Sequence, residues 1–292
     1  MLAVLKLLSL LPLPLLYGIA NILFIPLYRL SGYRRKVVQR NLARAFPERS
    51  DQERAQIERD FYRFLCDNFA EIVHAYRITP KALNRRVELV NIEELNRHFE
   101  KDQSVLLLLL HQGNWEWALQ SLSIHSAAPF AGVYKPLHSN VMDQFILETR
   151  SRYGGTAVPF KNTMKDLLRN RRKQRCLAMA ADQAPISREK RYWANFLGGP
   201  APFYYGPQVI AQATSTPVVF MQVHRVKRGY YRVSFETLAT PPYEKDSVEL
   251  LNTYIDRAER AIRSQPETWL WSNRKWKTPK SWEQEEVEKL TG

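Results

Sequence analysis

The chain is poor in the residues that build disulfide frameworks and metal sites. It has 2 cysteines and 6 histidines among 292 residues. Cys66 and Cys176 lie far apart in apolar surroundings, and neither belongs to a metal-ligand spacing. We therefore expect reduced core cysteines, as in a cytoplasmic domain, with no metal ion and no cofactor.

Acidic residues are scarce relative to basic ones. The chain has 43 Lys and Arg against 29 Asp and Glu, which gives a net charge of +14. Such a balance predicts an anionic partner, which can be nucleic acid, phospholipid headgroups, phosphorylated sugars or an acidic protein. Internal repeats, low-complexity tracts and Gly/Ser linkers are also missing. We therefore expect one main domain behind an N-terminal anchor.

The N-terminal segment selects among these partners. Leu7 to Tyr28 carries no charge, and a helix of that length can reach across the roughly 30 Å hydrocarbon core of a bilayer. A cleaved signal peptide is the alternative, but no small-x-small cleavage site precedes the basic stretch. Prolines interrupt the segment, so it can be a kinked span or an interfacial hairpin. We expect residues 1–30 to form a membrane anchor.

Basic residues follow the apolar segment directly. By the positive-inside rule they place residues 31–292 on the cytoplasmic side of the membrane. The residues are Arg29, Arg34, Arg35, Lys36, Arg40 and Arg44.

The most informative stretch is Val105 to Glu116. Its unbroken apolar run predicts a strand buried on both faces, and such strands occur in parallel sheets that bind ligands at their carboxyl ends. His111 stands at that end, Gly113 allows a turn, and Asn114 is a suitable helix N-cap. Glu116 falls in the first helical turn. We expect His111 and Glu116 to form an acid/base pair. A polar pair that merely closes a loop, or a metal site, is the alternative.

Strand and helix patterns alternate along the chain. Further strands are predicted at 129–134 and 176–181, with helices at 115–125, 140–153 and 162–172. Segments 218–226 and 230–238 predict an antiparallel pair at the sheet edge. Ser50 to Glu53 forms a capping box before a long amphipathic helix, and a last helix spans 247–264. The fold class is therefore α/β, with a mostly parallel central sheet flanked by helices. One apolar stripe of the long helix is expected in the core: Ile57, Phe61, Phe64, Leu65, Phe69, Ile72 and Tyr76.

Several ordered blocks resemble one enzyme family. The segment from His111 to Glu116 resembles the H-x4-D/E motif of glycerolipid acyltransferases, in the form found in the late acyltransferases of lipid A biosynthesis, the lauroyl and myristoyl transferases. Other blocks match in the expected order from about residue 5 to about residue 280. They are 34–48, 133–137, 150–155, 181–183 and 269–277. The chain departs from the family pattern at Ala184-Pro185-Ile186 and at Asn273-Arg274.

The resemblance implies a membrane-bound O-acyltransferase. The donor would be an acyl carrier protein thioester and the acceptor a lipid A precursor, an anionic lipid. His111 would be the general base, and Glu116 would orient its ring. Lysophospholipid or other lipid O-acylation stays open. The rival class is a membrane-tethered basic module that binds lipid or nucleic acid without catalysis. We expect the enzyme and no nucleic-acid partner, because a binding module has no need of the His111–Glu116 pair.

The remaining candidates are binding residues. Arg150 and Arg152 match a phosphate-binding position of the family about equally well, and arginine suits bidentate phosphate contacts. Asn114 and Asp182 are further candidates for substrate binding; Asp182 can equally cap the following loop. An aromatic and basic cluster predicts a membrane-interface contact, although one or two of its tryptophans can pack in the core. Its members are Trp269, Trp271, Arg274, Trp276 and Lys277.

Overall fold

The strands build one large sheet and one small one in the computed structural model, which describes residues 1–185 and 190–276. The strands are β1 (Val87–Leu89), β2 (Val105–Leu109), β3 (Phe130–Tyr134), β4 (Thr156–Pro159), β5 (Cys176–Ala180), β6 (Arg191–Asn195), β7 (Pro200–Tyr204), β8 (Val218–Lys227) and β9 (Tyr230–Ala239). The 7-stranded sheet has the order β1-β9-β8-β2-β5-β3-β4, and β6 pairs with β7. Only β8 and β9 pair antiparallel within the large sheet. The predicted α/β class is confirmed.

Helices cover both faces of this sheet. They are α1 (Leu2–Leu8), α2 (Leu13–Ile25), α3 (Arg35–Ala45), α4 (Asp51–Ala75), α5 (Pro80–Asn84), α6 (Glu93–Phe99), α7 (Trp115–His125), α8 (Asn140–Ser151), α9 (Thr163–Arg169), α10 (Gly206–Thr214) and α11 (Glu249–Ser264). A π-helical turn at Pro26–Leu30 continues α2, and 3₁₀ turns occupy Phe160–Asn162 and Pro266–Thr268.

The antiparallel pair occupies a different place from the predicted one. We expected it at the sheet edge, but β1 pairs with β9 in parallel and forms that edge. The strand β8 pairs with the buried strand β2 on its other side. The sequence prediction was wrong on this point because β1 has only 3 residues, too few for a periodic pattern.

Strand β2 divides the core into two clusters. Its side chains alternate between the two sheet faces, as in any strand. Val105, Leu107 and Leu109 belong to one buried cluster, which also contains apolar residues of α4, α7 and α8. Leu106 and Leu108 belong to the other, which contains residues of α3, α10 and α11. Burial on both faces explains the continuous apolar run.

The N-terminal helices lie against the first of these clusters. Leu5, Leu13 and Leu16 are buried in it. The helix is interrupted between α1 and α2, at the predicted proline kink. Leu13–Leu30 is long and apolar enough to cross a membrane, and only 17% of that window is buried in the fold. The N-terminal segment therefore has one face on the protein and one apolar face turned outward.

The long helix α4 begins as predicted and departs from the prediction near its end. Ser50 and Glu53 form the predicted capping box, in which the Ser50 hydroxyl accepts from the Glu53 N–H and the Glu53 carboxylate accepts from the Ser50 N–H. Phe61 and Phe64 are buried as expected. Phe69 is wrongly predicted as core, because its side chain is 41% exposed and lines a cavity.

Candidate active site

The loop that follows β2 carries the site. Gly113 has φ +62, and a Cβ at this position would come within 2.7 Å of Cγ1 of Val223. Only glycine accommodates both the left-handed backbone and this close approach to β8. The turn lets the chain pass from a buried strand into α7 within a few residues, so that His111 lies at the carboxyl edge of the sheet, where parallel α/β folds bind ligands.

A late segment of the chain fixes this loop. The N–H of Leu270 donates to the carbonyl of His111 at 3.1 Å, and the N–H of Gly113 donates to the carbonyl of Thr268 at 3.1 Å. Gln112 forms an isolated antiparallel bridge with Trp269. Residues 111–113 are thus paired like a short strand, which restricts the backbone of the loop.

His111 is oriented by Asp182, which follows β5. The Nδ1 atom of His111 lies 2.7 Å from Oδ1 of Asp182, and the His111 backbone N–H donates to Oδ2 at 3.0 Å. The indole N–H of Trp269 also donates to Oδ2, at 2.8 Å. Asp182 therefore fixes both the ring and the backbone of His111, and it is itself fixed by Trp269.

The charge state of Asp182 follows from these contacts. Burial disfavours the carboxylate, but the electrostatic interaction with the His111 ring and the hydrogen bonds from His111 and Trp269 outweigh burial and hold the pKa of Asp182 below its usual value. A carboxylate at Nδ1 favours the tautomer with hydrogen on that atom. The Nε2 atom is then left with its lone pair, which is the state required of a general base.

Glu116 pairs with Arg150 of α8. Nε of Arg150 donates to Oε2 at 2.9 Å, and Nη2 donates to Oε1 at 2.6 Å, which is a bidentate ion pair. Burial disfavours the Glu116 carboxylate, but the Arg150 guanidinium outweighs burial and lowers the pKa of Glu116. Glu116 is therefore a buried anion whose charge is balanced by one arginine.

The expected direct contact between the two motif residues is replaced by an indirect one. No hydrogen bond joins Glu116 to the His111 ring among residues 1–185 and 190–276. Trp115 lies between them: its ring packs edge-on against the His111 ring with centroids 5.3 Å apart, and its N–H donates to Oε1 of Glu116 at 3.0 Å. Asp182, which we expected to bind substrate, occupies the place expected for Glu116 at the imidazole.

A cavity of about 500 Å³ opens at His111. Its volume lies in the range of roughly 300–1,000 Å³ that is typical of ligand sites. His111, Glu116 and Arg150 contribute polar groups to one part of its wall. Most of the remaining wall is apolar and comes from several elements, including Phe69, Ile72, Leu119, Phe130, Ile146 and Phe160.

Two predicted binding residues do not face this cavity. Asn114 is fully buried; its Oδ1 accepts from the N–H of Trp117, and its Nδ2 donates to Glu71 at 2.7 Å. Its side chain is thus used as the helix N-cap and inside the fold. Arg152 donates to the carbonyls of Ala75 and Ile78, so it holds the end of α4. Of the two arginines, Arg150 is the one at the cavity.

Two tryptophans of the predicted membrane-interface cluster lie in the core, as the prediction allowed for one or two of them. Trp269 and Trp271 are buried, and their rings pack edge to face with centroids 4.7 Å apart. The indole N–H of Trp271 donates to the carbonyl of Pro266, so the polar end of this ring also finds its partner inside the protein. Trp276 is half-buried, Arg274 is exposed, and Lys277 lies outside the described residues.

The sequence analysis missed several buried ionisable residues, among them Lys275 and Glu71. Lys275 donates to the carbonyl of Pro202 at 2.6 Å and lies 3.4 Å from the ring centroid of Phe203. Burial lowers its pKa to about 7. Glu71 accepts hydrogen bonds from Tyr17, Asn114 and Tyr231, and burial raises its pKa. An acidic residue on an apolar helix face was a usable signal for Glu71, whereas Lys275 carried none.

The described residues contain no cluster of three or more His, Cys, Asp or Glu that could hold a metal ion. The two cysteines are unpaired and buried.

Comparisons with known proteins point to one family. The family model for the bacterial lipid A biosynthesis acyltransferases matches residues 1–278. The lipid A biosynthesis lauroyltransferase of Escherichia coli (strain K12) is 23% identical over 271 residues, covering 92% of this chain and 87% of that protein. A lipid A biosynthesis acyltransferase of Haemophilus influenzae (strain ATCC 51907 / DSM 11121 / KW20 / Rd) is 22% identical, covering 80% and 72%. The palmitoleoyltransferase of Escherichia coli (strain K12) is 21% identical, covering 84% and 79%.

Proposed function

Because the chain belongs to the bacterial lipid A biosynthesis acyltransferases, we propose that it transfers a fatty acyl chain from a carrier-protein thioester to a hydroxyl group of a lipid A precursor. The observation that carries the proposal is the pairing of His111 with Asp182 at 2.7 Å at the mouth of an apolar cavity. A base beside an apolar cavity suits a hydroxyl nucleophile and an acyl chain.

His111 acts as the general base in this proposal. Its Nε2 takes the proton of the acceptor hydroxyl as the oxygen attacks the thioester carbonyl carbon. The tetrahedral intermediate collapses with cleavage of the C–S bond, and the imidazolium returns the proton to the leaving thiolate. The products are an ester and a free thiol. Asp182 stabilises the imidazolium, as the carboxylate does in a catalytic triad.

Glu116 and Arg150 have a supporting role. Glu116 engages Nε and Nη2 of Arg150, so Nη1 has no hydrogen-bond partner among the described residues. We assign Nη1 to an oxygen of the acceptor or of the reacting carbonyl. Arg150 is the arginine of the predicted phosphate-binding block that reaches the cavity. Glu116 holds the guanidinium plane in place, which makes it a positioning residue.

The apolar part of the cavity takes the acyl chain. Phe69 and Ile72 come from α4, and Leu119 comes from α7, so side chains of two helices form a wall beside His111. Transfer of this surface out of water stabilises a bound chain by about 25 cal/mol per Å² of apolar area. A chain bound here would leave its thioester carbon near Nε2.

The net charge of the chain supports our proposal for the acyl donor, and the N-terminal segment supports our proposal for the location. A net charge of +14 favours an acidic protein as donor, and the acyl carrier protein is our proposal for it. The apolar face of α1 and α2, together with the basic residues that follow, supports attachment to the cell inner membrane with the catalytic domain in the cytoplasm.

The test combines lipid mass spectrometry with one variant. Cells that carry the wild-type gene, no gene, or His111→Ala are compared for the acyl chains of their lipid A and phospholipids. We expect lipid A to lack one acyl chain in the second and third strains. Loss of a chain from phospholipids alone would assign another acceptor, and normal lipid A with His111→Ala would refute the proposed base.

A further inference from the structure

Segment 161–173 presents an unbalanced positive surface. It contains the exposed residues Lys161, Lys165, Arg169, Arg171, Arg172 and Lys173. None of them forms an ion pair within residues 1–185 and 190–276. The segment has one acidic residue, Asp166. Its carboxylate is 2.6 Å from the guanidinium of Arg175, the residue directly before β5, and so pairs with a cation outside the segment. We call these six basic residues the α9 surface.

Apolar side chains lie beside these cations. Met164 is 46% exposed and Leu168 is 65% exposed. Residues four apart share one face of a helix, so Met164 and Leu168 form one row of α9, and Lys165 and Arg169 form the next. An apolar row flanked by cations is the composition expected for a protein contact, since apolar contacts supply affinity and charges supply orientation.

The α9 surface begins at the cavity. Phe160 lines the cavity wall, and Lys161 is its neighbour in the chain. Strand β4 ends at the carboxyl edge of the sheet together with β2, and α9 then runs back from that edge. A partner seated on α9 would therefore have one end at the entrance that leads to His111.

The location also separates this surface from the membrane. Leu167 of α9 packs on the cluster that contains Leu106 and Leu108. Leu5 and Leu13 of the N-terminal helices belong to the cluster on the other sheet face, and Phe24 and Leu27 at the end of the segment pack against both clusters. A bilayer that covers α1 and the start of α2 therefore lies on the other side of the sheet from α9. The outward apolar residues of the N-terminal segment, such as Leu7 and Ile22, mark the membrane side.

We propose that the α9 surface is the docking site of the acidic carrier protein that delivers the acyl thioester. The inference rests on the proposed transferase activity and adds the place at which the donor binds. Donor and acceptor then approach the cavity from different sides: the lipid from the side of α1 and α2, and the carrier from the side of α9.

The test uses charge reversal and two donors with the same acyl chain. One donor is the acyl thioester of the carrier protein. The other is the acyl thioester of pantetheine, a neutral arm without the protein. The variant is Lys165→Glu, Arg169→Glu and Arg172→Glu in the full-length chain. The matched control reverses three exposed cations of another region: Lys81→Glu, Arg85→Glu and Lys101→Glu.

We expect the α9 variant to raise KM for the carrier thioester at least tenfold, with kcat at saturation and the pantetheine reaction unchanged. The control variant should behave like wild type with both donors. Equal losses with both donors, or an unchanged KM for the carrier, would overturn the docking site. Lower binding to anionic vesicles with normal use of the carrier would assign the surface to the membrane instead. Failure of wild type with both donors would refute the proposed activity itself.

Discussion

Two buried regions of the molecule shift the pKa of their carboxyl groups in opposite directions. At the active site, Asp182 and Glu116 each face a cationic or ionisable partner, and their pKa values are lowered. In the contact between α4 and the N-terminal helices, the hydrogen-bond donors that Glu71 finds among the described residues are hydroxyls and an amide, and its pKa is raised. Neutral donors do not compensate for the loss of water, whereas a positive partner does.

The two regions therefore use their carboxyl groups for different purposes. In the proposed mechanism, one of the two ionised carboxylates supports an imidazolium and the other holds a guanidinium. Glu71 instead joins three elements in one network: Tyr17 from α2, Tyr231 from β9, and Asn114 at the start of α7. Its hydrogen bonds connect the N-terminal helices to the helix that carries Glu116.

The largest effect is expected from Asp182→Asn. An amide in place of the carboxylate can present its NH₂ group to Nδ1, which leaves the ring in the wrong tautomer and the imidazolium without support. We expect kcat to fall by a factor on the order of 10³ to 10⁴. The measurement is acyl transfer at saturating donor by protein whose circular dichroism matches wild type. Asp256→Asn, which alters an ion pair with Arg257 on α11 outside the site, is the control and should keep its rate. A rate within a few-fold of wild type for Asp182→Asn would remove Asp182 from the mechanism.

The next effect comes from Arg150→Met, which makes Glu116 resemble Glu71. Removing the cation leaves a buried carboxylate without its ionic partner, at a cost of about 3–5 kcal/mol in the free energy of unfolding. The pKa of Glu116 should rise, and activity should be lost. The measurement is urea unfolding at neutral pH. A second variant, Arg150→Met with Glu116→Gln, should recover much of the stability without the activity. If the double variant is no more stable than Arg150→Met, the buried charge is not the cause.

Lys275→Met tests how burial of a lysine affects the stability of the fold. The pKa of Lys275 is about 7 in the folded protein against 10.5 for an ordinary lysine. Between these values the unfolded chain binds a proton that the folded chain does not, so this residue makes stability rise with pH from about 7 to 10.5. We expect Lys275→Met to flatten that rise, measured as thermal unfolding against pH. An exposed control, Lys101→Met, should leave the profile unchanged.

The smallest effect is expected from Glu71→Gln. Because the folded pKa of Glu71 is raised, the folded protein loses stability relative to the unfolded chain as pH increases above about 4.5. The glutamine variant should therefore gain stability relative to wild type at neutral pH, by roughly 1 kcal/mol at most, since an amide can keep the hydrogen bonds. For Asp182 the pH dependence has the opposite sign. Its lowered pKa stabilises the fold above about 3.8, and that contribution is lost as pH falls through the folded pKa. The measurement is the free energy of unfolding against pH from pH 4 to pH 8. If the curves of wild type and Glu71→Gln run parallel, the pKa of Glu71 is not raised.

The sequence predicted the features that depend on neighbouring residues. The capping box of Ser50 and Glu53 and the strand before His111 were both predicted, because caps and apolar runs are local patterns. The partner of His111 was not, because Asp182 is 71 positions away and a nearer carboxylate, Glu116, fitted the motif. Arg150 likewise comes from another helix. Contacts of this kind depend on how β2, β5 and α8 are arranged in space.

The tryptophan cluster shows a second limit. Tryptophans beside cations are common both at membrane interfaces and in cores, and composition cannot separate the two. The structure places Trp269 against Asp182 and Trp271 in the core beneath it. The N-terminal helices are also part of the packed fold: deleting residues 1–30 removes Tyr17 from Glu71, so we expect this truncation to disturb the rest of the domain.

The pairing of residues 268–270 with the loop at 111–113 has a consequence for how the enzyme is made. A ribosome completes β2, α7 and β5 long before it reaches Trp269, so a growing chain has His111 and Asp182 but not the segment that aligns them. The N-terminal helices have by then been available to the membrane for most of synthesis. The chain can therefore reach the bilayer first and acquire its catalytic geometry last, when the whole sheet is present. In the proposed mechanism, a partly synthesised chain would therefore have no aligned base to act on thioesters.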